Sequence, residues 1–249
     1  MPRNKPLRRA ARLKWARSRA AESGYVARLR AVAKQVGMIV RGMAPDGSTE
    51  SAHAIVTALQ GYAKLIEPWA ASVSKVMVAD VAMRDKSMWR QRNAEIGREL
   101  SLEISKAPTG AILSKLQQEQ VKLITSLPLD AAERVHLLSQ EALVSSARAK
   151  EIAAQIYATG EITESRAKLI ARTEVARVSS NLVQARSQYA GSDGYVWRTS
   201  EDADVRESHS RMEGVYVRWS VPPKLDNMIG HAGTLPNCRC FAEPIFPDQ

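Results

Sequence analysis

An α+β fold, predominantly α-helical, is predicted for this chain: a long helical N-terminal region followed by a compact α+β C-terminal domain with a few short strands. Three observations predict it. Apolar residues recur at spacings of three and four as far as Tyr189, the period of an amphipathic helix. Aromatics make up only 5% of the 249 residues, whereas small and aliphatic residues recur throughout. After Gly191 the pattern changes to short β-branched and aromatic runs separated by proline and glycine. An apolar content of 45% is that of a folded chain rather than a disordered one.

The elements follow in order. Tyr25 to Met43 carries Val26, Leu29, Val32, Val36 and Val40 on one stripe, and Ala44-Pro45-Asp46-Gly47-Ser48 breaks it. A second helical region runs from about Thr49 to Ile104, kinked or divided by Pro68, because proline lacks a ladder donor. Pro108 with Gly110 and Leu127-Pro128 mark further breaks, and Asp130 with Glu133 offers a capping-box start near Ala131. That helix pauses near Ser145-Ser146, continues to Tyr157 and ends at Thr159-Gly160. Thr163 then reads as the N-cap of a helix whose stripe is Ala167, Ala171, Val175, Val178, Leu182, Ala185 and Tyr189. Short strands are expected at Tyr195–Trp197 and Val215–Val217, with loops from Pro222-Pro223 onward. These breaks divide the chain into a basic N-terminal arm (1–24), an extended helical region (25–125) and a compact domain (126–249).

The formal net charge of +10 suits an anionic partner, nucleic acid first among the candidates, with an ordinary basic surface as the alternative. Arg3, Lys5, Arg8, Arg9, Arg12, Lys14, Arg17 and Arg19 all precede the first acid, Glu22. So dense a run either neutralises DNA phosphates with release of counterions or remains a solvated terminus. No stretch approaches the roughly 18 apolar residues of a membrane span, so no membrane partner is expected. No apolar h-region follows the basic start, so a secretory signal is not expected either. Two cysteines, Cys238 and Cys240, provide no disulfide framework and suit synthesis in a reducing cytoplasm.

The C-terminal half carries an ordered set of signals. Ala-Arg-Thr-Glu at 171–174 with Arg177 and Asn181 is followed by Tyr195-Val-Trp197-Arg-Thr199, then Asp202, Val205-Arg206, His209 and Gly214. Pro222-Pro223, Asp226, His231-Ala-Gly233 and Asn237-Cys-Arg-Cys240 close it. This set resembles the phage Mu F-like domain of minor head, or head morphogenesis, proteins, over roughly residues 126–246. Where that family often has proline after the histidine, this chain has Ala232. The resemblance implies a structural protein without catalytic turnover, resident in the virion at the capsid interior or portal vertex after synthesis in the bacterial host. It further implies portal protein or major capsid protein as partners, several copies per virion, and contact with double-stranded DNA during packaging or ejection.

The same half contains the residue types of a metal centre. His209, His231, Cys238 and Cys240 form a Cys2His2 set of the kind that binds structural zinc. In an extended segment both thiols of Cys-x-Cys point to one side. Zinc motifs more often space their cysteines wider, so reduced buried thiols beside hydrogen-bonded histidines compete with the metal reading. A disulfide between positions 238 and 240 fits worst, since the α-carbons approach the roughly 7 Å limit of the bridge. Asp202, Asp204, Arg206 and His209 are also the residue types of a metal-dependent nucleic-acid-cleaving site, at a spacing that matches no catalytic motif. Arg172, Glu174, Arg177, Trp197 and Arg206 are assigned structural roles: Glu174 and Arg177, three apart on one helix, can form a surface pair, whereas a buried Glu174 bonded to Arg206 or Arg172 would organise the domain more.

Overall fold

The computed structural model describes residues 19–91, 97–145 and 149–246. Among these, the helices are α1 (Arg19–Gly42), α2 (Thr49–Leu65), α3 (Glu67–Gln91), α4 (Arg98–Ser105), α5 (Gly110–Ser145), α6 (Ala149–Tyr157) and α7 (Thr159–Tyr189). There follow β1 (Gly194–Arg198), α8 (Glu207–Ser210), β2 (Tyr216–Arg218), β3 (Lys224–Leu225), β4 (Met228–Ile229) and β5 (Phe241–Ile245). The fold is α+β and mostly helical. No described helix is long and apolar enough to cross a membrane.

The described residues form two compact units that interleave along the chain. One gathers 19–21, 78–115 and 173–246; the other gathers 22–77 and 116–172. This partition does not follow the linear order of arm, helical region and C-terminal domain, because distant helical segments close each core.

In the unit of residues 22–77 and 116–172, the periodicity acts as expected. Leu29, Val32, Val36 and Val40 of α1 are all essentially buried, while Val26 is half-buried. Val36 and Val40 join Ile55, Leu59, Val135, Ile152 and Ile156 in one apolar cluster. Ser48 starts α2 by accepting a hydrogen bond from the Ser51 amide at 3.1 Å, satisfying one orphan donor of the first turn. Pro68 lies in the first turn of α3, where its missing N–H has no helical partner to lose. Tyr25 donates through its hydroxyl to Oε1 of the fully buried Gln120, 3.0 Å away.

Two helix boundaries differ from the sequence reading. Pro128 lies inside α5 rather than at a break. Ile124, Leu127, Ala131 and Val135 form a buried stripe through it, and that burial outweighs the lost ladder bond. Asp130 and Glu133 are therefore mid-helix residues, not a capping box. Likewise α7 begins at Thr159, and the Thr163 hydroxyl donates back to the Thr159 carbonyl at 2.8 Å instead of capping. The α7 stripe is buried through Ala167, Ala171, Val175, Val178 and Leu182, whereas Tyr189 is exposed.

In the other unit, β1 is the central strand of an antiparallel sheet ordered β2-β1-β5. Tyr195 pairs with Val217 on one side and Pro244 on the other. An edge strand is where a proline is tolerated, since its missing N–H takes no ladder bond from a third strand. β5 and the β3–β4 hairpin occupy what reads in sequence as loop. Asp226 and Asn227 form the hairpin turn, both at positive φ (51° and 62°), the conformation that a tight type I′ turn requires.

A buried ion pair organises the helices of this unit. Arg186 of α7 donates through Nε to Oδ2 of Asp85 in α3 at 2.5 Å, and through a terminal nitrogen to the Ile104 carbonyl at 2.9 Å. Trp89 Nε1 donates to the second oxygen of Asp85 at 3.2 Å. Burial pushes the Asp85 carboxyl up to about 6, against the opposing pull of Arg186 and the hydrogen bonds. Removing one partner strands the other charge in the core, so Asp85→Ala is expected to lower stability by about 3–5 kcal/mol. The Asp85→Leu/Arg186→Met double variant should recover much of that loss. Equilibrium urea unfolding of the two single variants and the double variant measures the coupling.

Candidate functional site

The site grows from β1. Alternation along a strand places Tyr195 and Trp197 on the same face, with ring centroids 6.4 Å apart and both side chains fully buried. Each ring takes its own histidine. His231 stands edge-on to Tyr195 at 5.7 Å, and His209 stands edge-on to Trp197 at 5.6 Å. The strand period therefore separates two histidines that the sequence grouped.

The His231 ring is fully used by protein partners. Its Nε2 donates to the Trp219 carbonyl at 3.1 Å, so Nδ1 accepts from the Tyr195 hydroxyl at 3.2 Å. That hydroxyl in turn accepts from the Ala232 amide at 3.2 Å. Burial lowers the His231 pKa below its ordinary 6.5, with the bond to Trp219 opposing, and raises that of Tyr195. His231 is thus a core histidine, a correction to its grouping with the cysteines.

His209, Cys238 and Cys240 do meet. They are 2%, 3% and 6% exposed, and their ligating atoms all lie within 4.8 Å of one another. His209 Nδ1 is 3.4 Å from Cys238 Sγ and 3.6 Å from Cys240 Sγ. Among the described residues this is the one group of three or more His, Cys, Asp or Glu side chains that could hold a metal ion. His209 is delivered by α8, a single turn, and the cysteines by the extended segment that enters β5. A hydrogen bond from Cys240, aided by His209 and the Gly233 and Cys240 amides, holds the Cys238 thiol well below its usual range despite burial. The same contact, with burial, drives Cys240 upward.

The surrounding loops are pinned individually. Arg206 donates to the Pro236 carbonyl at 2.8 Å, and the Asn237 amide donates to the Thr173 hydroxyl at 3.1 Å. Gly233 has φ of +83°, and a Cβ there would meet the Cys240 carbonyl oxygen at 3.0 Å, so the turn demands glycine. Ser180 donates to the Ala232 carbonyl at 2.6 Å, fixing the turn to α7. Arg198 ties the sheet by bridging Glu243 at 2.5 Å and Glu213 at 3.2 Å.

Other sequence-derived sites are distributed differently. Asp202 and Asp204 face Arg239, at 2.5 and 3.3 Å, whereas His209 is turned toward the cysteines. Of the two alternatives for Glu174, the structure has the i,i+3 pair with Arg177, at 2.7 Å, rather than a bond to Arg206 or Arg172; Arg172 faces Glu22 at 3.6 Å. Of the basic run, Arg3 to Arg17 lie outside the described residues, and Arg19 is exposed at the start of α1. Sequence reasoning noted Asp226 among the ordered signals but not among the site residues; its Oδ2 lies 4.0 Å from His209 Nε2 and accepts from the Ser208 hydroxyl at 2.7 Å. The Asp226-Asn227 turn dipeptide was its available signal.

Comparison with known proteins finds similarity in this half. Residues 133–243 match the family model described as Phage Mu protein F like protein. The match begins within α5 and ends inside β5, covering β1 to β4, His209, His231 and both cysteines. An uncharacterised protein of Haemophilus influenzae (strain ATCC 51907 / DSM 11121 / KW20 / Rd) is 32% identical over 137 residues, 55% of this chain. The aligned segment spans 30% of that relative's length. No solved structure matches the chain.

A buried neutral histidine gives a pH prediction. Because the His231 pKa is depressed on folding, the unfolded chain binds more protons there below pH 6.5. Stability is therefore full above 6.5 and declines as the pH falls toward the folded-state value. Melting temperature measured from pH 7.5 to 5 should fall less steeply for His231→Gln than for wild type.

Proposed function

We propose that this chain is a structural minor head protein of a tailed bacteriophage, acting by binding and placement during head morphogenesis, packaging or ejection. The observation that carries the reading is the match of residues 133–243 to the Phage Mu protein F like family. The site geometry is consistent with it. The residues that could have formed a hydrolytic centre are spent on structure: Asp202 and Asp204 on Arg239, Arg206 on a carbonyl, His209 on the thiol pair.

The reading places the protein in the virion, at the portal vertex or the inner capsid wall, in several copies. Its partners are the portal protein or the major capsid protein, and packaged duplex DNA. The DNA contact rests on charge: eight of the chain's 36 Lys and Arg residues precede its first acid. Such a segment gains affinity by releasing counterions from the duplex.

Immunodetection in purified particles tests the placement. The chain should be found in DNA-filled heads, and its absence from both empty and filled heads would sink the virion reading. For the DNA contact, deleting residues 1–18 should weaken duplex binding and flatten the plot of log affinity against log salt. The flattening should be about 0.9 for each phosphate the arm neutralises. An unchanged slope assigns the arm to a protein partner. Incubation with duplex and single-stranded DNA plus magnesium or manganese should leave the DNA intact, and cleavage abolished by His209→Ala would reinstate the enzyme.

A further inference from the structure

We propose that His209, Cys238 and Cys240 bind one structural zinc ion through Nδ1 and the two Sγ atoms, with Asp226 as the carboxylate behind the histidine. The distances carry it. A tetrahedral zinc with bonds of about 2.3 Å to sulfur and about 2.0 Å to nitrogen separates those two ligands by about 3.5 Å. The two observed sulfur–nitrogen separations are 3.4 and 3.6 Å. Soft thiolates with one imidazole select zinc over magnesium, calcium or manganese, which prefer oxygen ligands.

The surroundings match a metal-binding imidazole. Ligating histidines commonly direct the other ring nitrogen at a carboxylate, which fixes the tautomer. Here that nitrogen, Nε2, is buried without a hydrogen bond among the described residues and lies 4.0 Å from Asp226 Oδ2. Nδ1 ligation leaves the proton on Nε2, facing the carboxylate.

The assignment also explains the spacing that seemed too short for zinc. Cys-x-Cys supplies two ligands from one extended segment, and His209 approaches from α8 on the other side. His231 is excluded by its bonds to Tyr195 and Trp219. The fourth tetrahedral position falls to a non-protein ligand such as water. The role is structural, because Asp202 and Asp204 are held by Arg239 and the three ligands are almost fully buried. The ion ties α8 and the β3–β4 turn to the segment that becomes β5.

The full-length chain, purified reduced from zinc-supplemented cells, tests this by elemental analysis and by cobalt(II) replacement. One zinc per chain is expected, and the cobalt form should show thiolate-to-cobalt charge transfer with tetrahedral d–d bands. Cys240→Ser and His209→Gln should lose the metal, Asp226→Asn should weaken affinity about 10–100-fold, and His231→Asn should keep one zinc. Should the cysteine variants fail to fold, the wild-type cobalt spectrum decides alone. Two free, titratable thiols after metal addition, a 238–240 disulfide, or zinc lost in a folded His231→Asn chain would each overturn the assignment.

Discussion

Arg186 is 5% exposed, and a guanidinium removed from water must find its compensation inside the protein. It finds it in two places at once: the Asp85 carboxylate, 101 positions earlier, and the Ile104 carbonyl, 82 positions earlier. Helices α3, α4 and α7 are thereby brought together at one charge. An apolar contact could slide along its neighbour at little cost, whereas a buried ion pair has one register. The sheet unit assembles against this fixed frame: Trp89, one turn from Asp85, packs edge-on to Phe246 just beyond β5, with centroids 6.3 Å apart.

The remaining order in that unit descends from β1. Its two-residue repeat sets Tyr195 and Trp197 side by side, and each aromatic ring forms one wall for a histidine. The consequence is chemical. His231 spends both nitrogens on the core, while His209 keeps Nδ1 for sulfur. Two identical side chains in one small domain have different roles because they neighbour different positions of one strand.

The helical unit illustrates how local rules yield to burial. Pro128 should end a helix, and Thr163 should begin one. Neither does, because Ile124, Leu127, Ala131 and Val135 in the first case, and the Thr159 carbonyl in the second, offer the chain more than a break would. A missing ladder bond is a local cost of a few kcal/mol, and four buried apolar side chains outweigh it.

The sequence by itself determined the secondary-structure class, the buried stripes of α1 and α7, the positions of β1 and β2, and the family resemblance of the C-terminal half. These are local or periodic properties, written in residues three, four or two apart. It also brought His209, Cys238 and Cys240 under suspicion together, because residue type alone marks metal chemistry. Only the tertiary structure separated His231 from that group, placed Asp226 behind His209, and recovered β5 from an apparent loop. Those outcomes depend on which strand neighbours which and on which polar atoms burial leaves to be satisfied. Both are relations between distant segments, which periodicity does not encode.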